Sequence, residues 1–299
     1  MDVRNSVGVI VTNSAVTIAW YPFHMVKTLI QVGHEPLAPC DSISFPFFNR
    51  SVRRFPSAFS YVGYIRRRDG VFGLYRGLTA KLVENAVGCL VSEYVMHAVR
   101  PAKTKRVQEL DLRTVDIRDY AVHVLKEGVE TMVARSAGLF FSQPFYVISL
   151  RALVQFVGQE TMYNGIFSSI REILWQEGVT GFYSGFIPRL IYELSVFWIA
   201  HTVRSVVELL VARFGDNEEK EDDNDGSQYQ FHFVASFLGS LLAYPIQLVA
   251  TLMSVNNCGL EATQPPVMPV FAGVCDCWSY LRSNNMMRRG SSIFVRSVQ

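Results

Sequence analysis

The string DGVFGLYRG at residues 69–77 returns as EGVTGFYSG at residues 177–185, and this recurrence decides the fold. Each string comes after an apolar stretch that contains a proline, Pro22 in the first case and Pro144 in the second. Each string is also followed directly by another apolar stretch. Because the order of proline, glycine string and apolar stretch is the same both times, we expect a chain built from internal repeats.

The two glycine strings also predict where helices end. The acidic residue and the glycine after it are expected to end a short surface helix, and the last glycine to let the chain turn into the next span. These positions are Asp69, Gly70 and Gly77 in the first string and Glu177, Gly178 and Gly185 in the second.

A third copy of the pattern is present in altered form. Pro245 follows Tyr244 as Pro22 follows Tyr21, whereas the glycine string has decayed to NNMMRRG at 284–290. All three prolines are expected to kink a membrane helix whose neighbours satisfy the freed carbonyl. Only SSIFVRSVQ follows, and nine helical residues span about 14 Å, half of the hydrocarbon core of a bilayer. We therefore expect the third repeat to lack its second span.

A membrane-spanning helix requires about 20 predominantly apolar residues. Five stretches of the chain meet this requirement. They are residues 7–33, 79–99, 130–157, 186–214 and 230–256. The loops 34–78 and 158–185 each contain a short amphipathic pattern, which predicts a helix along the membrane surface. The acidic run GDNEEKEDDNDGS at 215–227 is expected to be a solvated loop.

The composition favours a membrane protein and argues against several other classes. Charged residues make up 18% of the chain and hydrophobic ones 49%, with a mean hydropathy of +0.18. A net charge of +2 gives no basis for nucleic-acid binding. The five cysteines include one C-x-C pair, Cys275 and Cys277, and no histidine lies at zinc-ligand spacing from that pair, so free thiols are expected. The sequence also predicts no catalytic constellation and no cofactor site, hence no enzyme.

Polar and ionisable side chains interrupt the predicted spans. Such groups are expensive in lipid, so most are expected to face the protein interior or a water-filled cavity. They include Lys27, Gln31, Glu84, Asn85, Arg135, Arg151, Glu193, His201 and Gln247. Glu84 and Arg135 lie near enough to span ends to reach water by snorkelling, whereas Glu193 lies in mid-span.

The repeat pattern resembles that of the mitochondrial carrier family, which reads P-x-[DE]-x-x-[KR] and later [DE]-G-x-x-x-x-[FYW]-[KR]-G. Residues 69–77 match the second motif fully, and residues 177–185 differ only at Ser184. The resemblance implies an all-α integral membrane protein, a carrier-like three-repeat helical bundle that lacks the sixth transmembrane helix. Its expected units are repeat 1 at 1–100, repeat 2 at 101–214 and a truncated repeat 3 at 215–299.

The first motif departs from the family at most of its charged positions. In carriers these acidic and basic residues form a ring of ion pairs that closes one side of the pore. Here the acidic positions hold His24, Tyr146 and Gln247, and the basic positions hold Lys27, Ser149 and Ala250. These six residues cannot form the ring, and Lys27 is left needing another explanation.

The departures resemble one branch of the family, the mitochondrial carrier homologues of the outer membrane. Three strings carry this resemblance: KTLIQVGHEPL at 27–37, ARSAGLFFSQPFYVISLRALVQFVG at 134–158 and LMSVNNCGL at 252–260. The branch implies a multi-pass protein of the mitochondrial outer membrane that inserts tail-anchored and other α-helical clients through a hydrophilic groove open to lipid. It also implies contact with membrane lipids and docking of a pro-apoptotic BH3-type partner.

Residues are assigned to the groove from this resemblance. Lys27 and Glu193 match the charged membrane positions of the branch, and Tyr244 and Thr251 match its polar groove positions. Weaker candidates are Arg135, Arg151 and Gln247. Two simpler readings stay open: Lys27 as an interfacial lysine that snorkels to water, and Glu193 as a hydrogen-bonded carboxylic acid in the bundle. Arg189, at the start of a span, is expected to contact headgroups or a neighbouring helix end.

Two other functions compete with insertion. One is transport of a small anionic metabolite across the inner membrane, in the manner of other carriers. The other is a passive receptor that docks apoptotic or metabolic proteins. Loss of the ion-pair ring and of the sixth span argues against the transporter, whereas a client-binding groove serves insertase and receptor equally. The loop charges leave the orientation in the membrane open.

Overall fold

A computed structural model describes residues 3–44, 50–100, 116–214, 224–292 and 296–297. The helices are α1 Val3–Val32, α2 Ala58–Gly73, α3 Leu78–Val99, α4 Ile117–Val154, α5 Ile166–Gln176, α6 Phe186–Phe214, α7 Asn224–Leu242, α8 Tyr244–Val255 and α9 Val274–Ser283. Short 3-10 turns occupy Val179–Tyr183 and Glu261–Thr263. Strands β1 Cys40–Ser44, β2 Arg50–Phe55 and β3 Arg296–Ser297 form a small antiparallel sheet in the order β1-β2-β3.

The long helices pack side by side as a bundle. α1 packs on α3, α3 on α4, α4 on α6, α6 on α7 and α8, and α8 returns to α1. The shorter helices α2, α5 and α9 follow the proline-bearing helices α1, α4 and α8. α2 and α5 lie in the two loops for which surface helices were predicted, whereas α9 was not predicted. The predicted all-α, carrier-like bundle is confirmed, although the sheet was not anticipated.

Helices occupy all five predicted spans, but they differ in how well they suit a membrane. By length and composition, the segments Ile117–Val154 and Val179–Val211 can cross a bilayer, and the pair Phe233–Leu242 and Tyr244–Val255 would make a third span bent by 66°. α1 and α3 contain 30 and 22 residues, long enough for a span but not apolar enough to pass the same criteria. Their low apolarity follows from the polar residues that they carry.

The three prolines differ in whether they interrupt the helix. Pro22 and Pro144 lie inside α1 and α4, which continue through them. Before Pro245 the helix breaks at Ala243, so that α7 and α8 are separate helices. α7 begins at Asn224, which makes the last four residues of the predicted acidic loop helical; residues 215–223 lie outside the described residues.

The third glycine string keeps a positive φ towards both of its ends, although it is two residues shorter than the other two. Gly77, Gly185 and Gly290 all have positive φ, at 76°, 69° and 78°. Asn285 also has a positive φ, at 56°, where Gly70 and Gly178 stand in the intact strings. Asparagine is among the few non-glycine residues that tolerate this region. After Gly290 the described residues contain no helix, and the absence of a sixth span stays a prediction because residues 293–295 and 298–299 are not described.

Gly77→Ala is expected to lower the free energy of unfolding by about 2–3 kcal/mol, because it adds left-handed strain to overpacking. A Cβ at this position would lie 2.7 Å from the Ser149 carbonyl oxygen, which belongs to the neighbouring α4. Gly63→Ala in α2 is the control, since a Cβ there meets nothing within 4 Å. Chemical unfolding in detergent micelles measures the stability of both variants. Equal stabilities would contradict the close approach of residue 77 to the Ser149 carbonyl oxygen.

Candidate functional site

The bundle encloses a cavity of about 1130 Å³ that follows α1 from Val9 to Gln31. At 1.5 Å per residue this is about 33 Å along the helix axis, close to the thickness of a bilayer core. The cavity is lined by residues of α1, α3, α4, α6 and α8. Many of them are polar, including Asn13, Thr17, Lys27, Gln31, Lys81, Glu84, Asn85, Ser92, Glu93, Thr131, Arg135, Ser142, Arg189, Glu193, Gln247 and Thr251. We call this cavity the groove.

One end of the groove is closed by bonds that repeat three times, which we call the latches. In each repeat the side chain before the proline donates a hydrogen bond to the backbone carbonyl that precedes the last glycine. The pairs are Tyr21 to Arg76 at 2.5 Å, Gln143 to Ser184 at 3.1 Å and Tyr244 to Arg289 at 2.6 Å. The Arg289 guanidinium also donates to the Gln31 carbonyl at 2.6 Å, which ties repeat 3 to repeat 1.

Towards the other end, the bundle does not close between α1 and α7. Among the described residues, α1 packs on α3, α4 and α8 but has no extensive contact with α7. No described side chain of α7 lines the groove, and its outward residues are apolar, such as Phe233 and Leu242 at 73% and 74% exposure. As far as the described residues go, the polar groove therefore has a lateral gap flanked by apolar helix faces.

The floor of the groove holds a buried ion cluster that links two repeats. Glu84 of α3 is 4% exposed and accepts hydrogen bonds from Lys81 at 2.9 Å and from Arg189 of α6 at 2.5 Å. Arg189 also donates to Gln143 at 2.7 Å, and its guanidinium carbon lies 3.8 Å from the centre of the Tyr146 ring. An ion pair between repeats 1 and 2 thus exists, formed by residues outside the usual ring.

This cluster bears on two expectations about single residues. Arg189 was expected to contact headgroups or a neighbouring helix end; it is 6% exposed and bonded to Glu84 of the neighbouring α3, so the contact is with a helix and not with headgroups. Glu84 is buried and does not reach water by snorkelling. A signal for the cluster was present in the sequence, because Lys81 and Arg189 each stand four residues after the last glycine of their string.

Lys27 lies on the floor beside the third repeat. Its ammonium donates to the Gln247 side-chain oxygen at 3.1 Å and lies 5.2 Å from the centre of the Tyr244 ring. Lys27 and Gln247 occupy a basic and an acidic position of the family ring. One contact of that ring is therefore replaced by a bond between a cation and a neutral amide.

The wall above the floor carries Glu193 and Arg135. Both line the groove, and the Arg135 guanidinium lies 4.9 Å from the centre of the Phe197 ring, within electrostatic range of Glu193. In the described part of the chain Glu193 makes no hydrogen bond or ion pair of its own side chain. Lys27 and Glu193 share the cavity, as expected, without pairing directly.

The remaining predicted residues divide between the groove and the closed end. Gln247 and Thr251 line the groove, and the Thr251 hydroxyl donates to the Gln247 carbonyl at 3.1 Å. Tyr244 lies behind Lys27 and forms a latch instead of lining the cavity. Arg151 is fully buried away from the groove, where its guanidinium bonds the Glu177 carboxylate at 2.5 and 2.9 Å. The sequence alone indicated no partner for Arg151. Its partner is Glu177, the acidic residue of the second glycine string.

The described residues contain no other site with clear chemistry. Within them no group of His, Cys, Asp and Glu side chains is arranged to hold a metal ion. The five cysteines are free, and burial raises the pKa of the Cys258 and Cys277 thiols, which keeps them protonated. The groove is therefore the candidate functional site.

Comparison with known proteins agrees with the motif pattern. The family model described as "Mitochondrial carrier protein" matches residues 5–103 and 121–212. The chain is 36% identical to "Mitochondrial carrier homolog 2" of Homo sapiens over 291 residues, 97% of this chain and 93% of that protein. It is 35% identical to "Mitochondrial carrier homolog 1" of Mus musculus over 297 residues, 95% of this chain and 75% of that protein.

Proposed function

The chain belongs to the mitochondrial carrier family, and from that premise we propose that it is an insertase of the mitochondrial outer membrane. Its clients are tail-anchored and other α-helical membrane proteins. The observation that carries the proposal is a polar groove, about as long as a bilayer is thick, that is latched at one end and unsealed between α1 and α7.

The physical task of such an insertase is to move a short polar flank across hydrocarbon. Each unsatisfied polar group there costs several kcal/mol, and this cost is the barrier to insertion. Side chains such as Asn13, Thr17 and Asn85 line the groove and offer the flank hydrogen bonds. The apolar helix of the client meanwhile leaves through the lateral gap into lipid. No covalent bond changes, so no nucleophile or general base is needed.

The closed end supports insertion over metabolite transport. Alternating access requires one end of the bundle to open whenever the other closes. Here repeats 3 and 1 are joined across that end by Arg289 on the Gln31 carbonyl and by the Gln31 amide on the Tyr244 hydroxyl. The three latches and the pair of Arg151 and Glu177 fix the helices within each repeat. The six ring positions carry no ion pair that could exchange between states. An inner-membrane metabolite carrier is the alternative, and it would have to break the contacts that join different repeats, such as Arg289 on the Gln31 carbonyl, in each cycle.

The same groove suits a second role as a docking receptor. A BH3-type segment of a pro-apoptotic partner is an amphipathic helix, and such helices dock with their apolar face in a groove. The apolar flanks of the gap and the polar floor offer both surfaces. This role follows from the family branch and needs no site beyond the groove.

Liposome reconstitution tests the insertase proposal directly. With the purified full chain in liposomes, a tail-anchored client is expected to become resistant to carbonate extraction well above its level in protein-free liposomes. Liposomes that contain an unrelated helical membrane protein at equal density are the control for nonspecific lipid disturbance. No gain over these two controls would refute the insertase proposal.

A further inference from the structure

The floor of the groove carries more positive than negative charge. Lys27, Lys81 and Arg189 share it with a single carboxylate, Glu84, which gives a formal charge of +2. Lys81 and Arg189 both form ion pairs with the Glu84 carboxylate. The wall pair Arg135 and Glu193 adds no net charge.

Glu93, the third carboxylate that lines the groove, does not neutralise the floor. It stands nine residues after Glu84 on the same helix, about 14 Å away along the axis. The excess positive charge of the floor is therefore local.

Among the described residues, Lys27 is the floor cation that has no ion-pair partner, and it also has unused hydrogen-bonding capacity. An ammonium has three N–H donors, and in the described residues one of them is used, on the Gln247 amide oxygen. No described carboxylate lies within ion-pair distance of it. The amide nitrogen of Gln247 has two further donors without an acceptor in the described chain. The Tyr244 ring covers one side of the ammonium, so a further acceptor must come from the cavity.

A cation held in a membrane cavity without a counter-charge is costly, and an anion that enters the cavity offsets this cost. A carboxylate suits the site because its two oxygens can accept from the ammonium and from the Gln247 amide together. Hydrogen bonds between ionised partners are also stronger than neutral ones.

Resting on the proposed insertase function, we propose that the groove floor binds the free C-terminal carboxylate of the client. In a tail-anchored protein the polar flank after the membrane helix is short, and its C-terminus enters the groove first. A membrane helix of about 20 residues is about 30 Å long, nearly the length of the groove. A client helix lying along α1 therefore places its ionised C-terminus beside Lys27.

The test compares two client-tail peptides of one sequence, one ending in a carboxylate and the other in a carboxamide. With the full chain in phosphatidylcholine nanodiscs, the carboxylate peptide is expected to bind on the order of tenfold tighter. Lys27→Gln should remove this preference and Lys27→Arg should keep it, because only the charge is required. Lys126→Gln, which alters an exposed lysine of α4, is the matched control and should also keep the preference.

Equal binding of the two peptides, or no binding of either, would overturn the inference. A preference that survives Lys27→Gln would overturn it as well. The liposome assay separates this from the proposed function. Insertion without a carboxylate preference rejects only the anion site, whereas a preference without insertion rejects the insertase and leaves the anion site standing.

Discussion

Glu84→Gln is expected to lower the free energy of unfolding by about 3–5 kcal/mol, the usual effect of removing one partner from a buried ion pair. The variant leaves Arg189, at 8% side-chain exposure, and Lys81 facing each other without their shared carboxylate. Two like charges in a poorly solvated floor repel each other, and neither forms an ion pair with another carboxylate of the described residues. Chemical unfolding in detergent micelles measures the loss.

Two further variants make this prediction specific to burial. Glu208→Gln also removes the partner of an arginine, but the pair with Arg204 is exposed and four residues apart on α6, so its loss should cost less than about 0.5 kcal/mol. The double variant Glu84→Gln with Arg189→Gln should recover part of the stability, since it leaves one cation in place of two. Equal losses for Glu84→Gln and Glu208→Gln would show that the floor is well hydrated.

The repeat architecture could be predicted from sequence because it depends on local rules. The turn into the second span of a repeat requires a positive φ, which glycine adopts readily. Gly77 and Gly185 occupy this position before α3 and α6. The three prolines similarly mark the same place in each repeat. The third string was interpreted as decayed because Asn284 and Asn285 stand in place of the acidic residue and the first glycine. The positive φ values and the latch are nevertheless retained.

The pairing of charges could not be predicted because it is a tertiary property. Glu84 and Arg189 are 105 residues apart, and the sequence around either residue does not indicate that the other is its partner. The repeat offered a partial guide, since equivalent positions after the last glycine face the same cavity. Asn85 and Glu193, eight residues after Gly77 and Gly185, illustrate this by both lining the groove. The small sheet escaped prediction because β1 and β2 are short and β3 comes from the far end of the chain.

Lys27→Glu is expected to speed release of a bound client into the bilayer severalfold while the bundle stays folded. The change takes the formal charge of the floor from +2 to zero, so the floor no longer holds an anionic or strongly polar flank. Tight holding in the groove stabilises the state before insertion, and weakening it lowers the remaining barrier. The fold is expected to survive because the Gln247 amide, which now accepts from Lys27, can turn and donate to a carboxylate.

Rates of client insertion into liposomes at saturating client concentration measure this effect, because release then limits the rate. Lys126→Glu is the matched charge reversal, on an exposed position of α4 outside the groove, and is expected to leave the rate unchanged. An unaltered rate for Lys27→Glu would identify Lys27 as an interfacial lysine that reaches water, and its assignment to the groove would be wrong. A slower rate would mean that the positive floor captures the client in the limiting step, because repulsion of an incoming flank then outweighs its easier release.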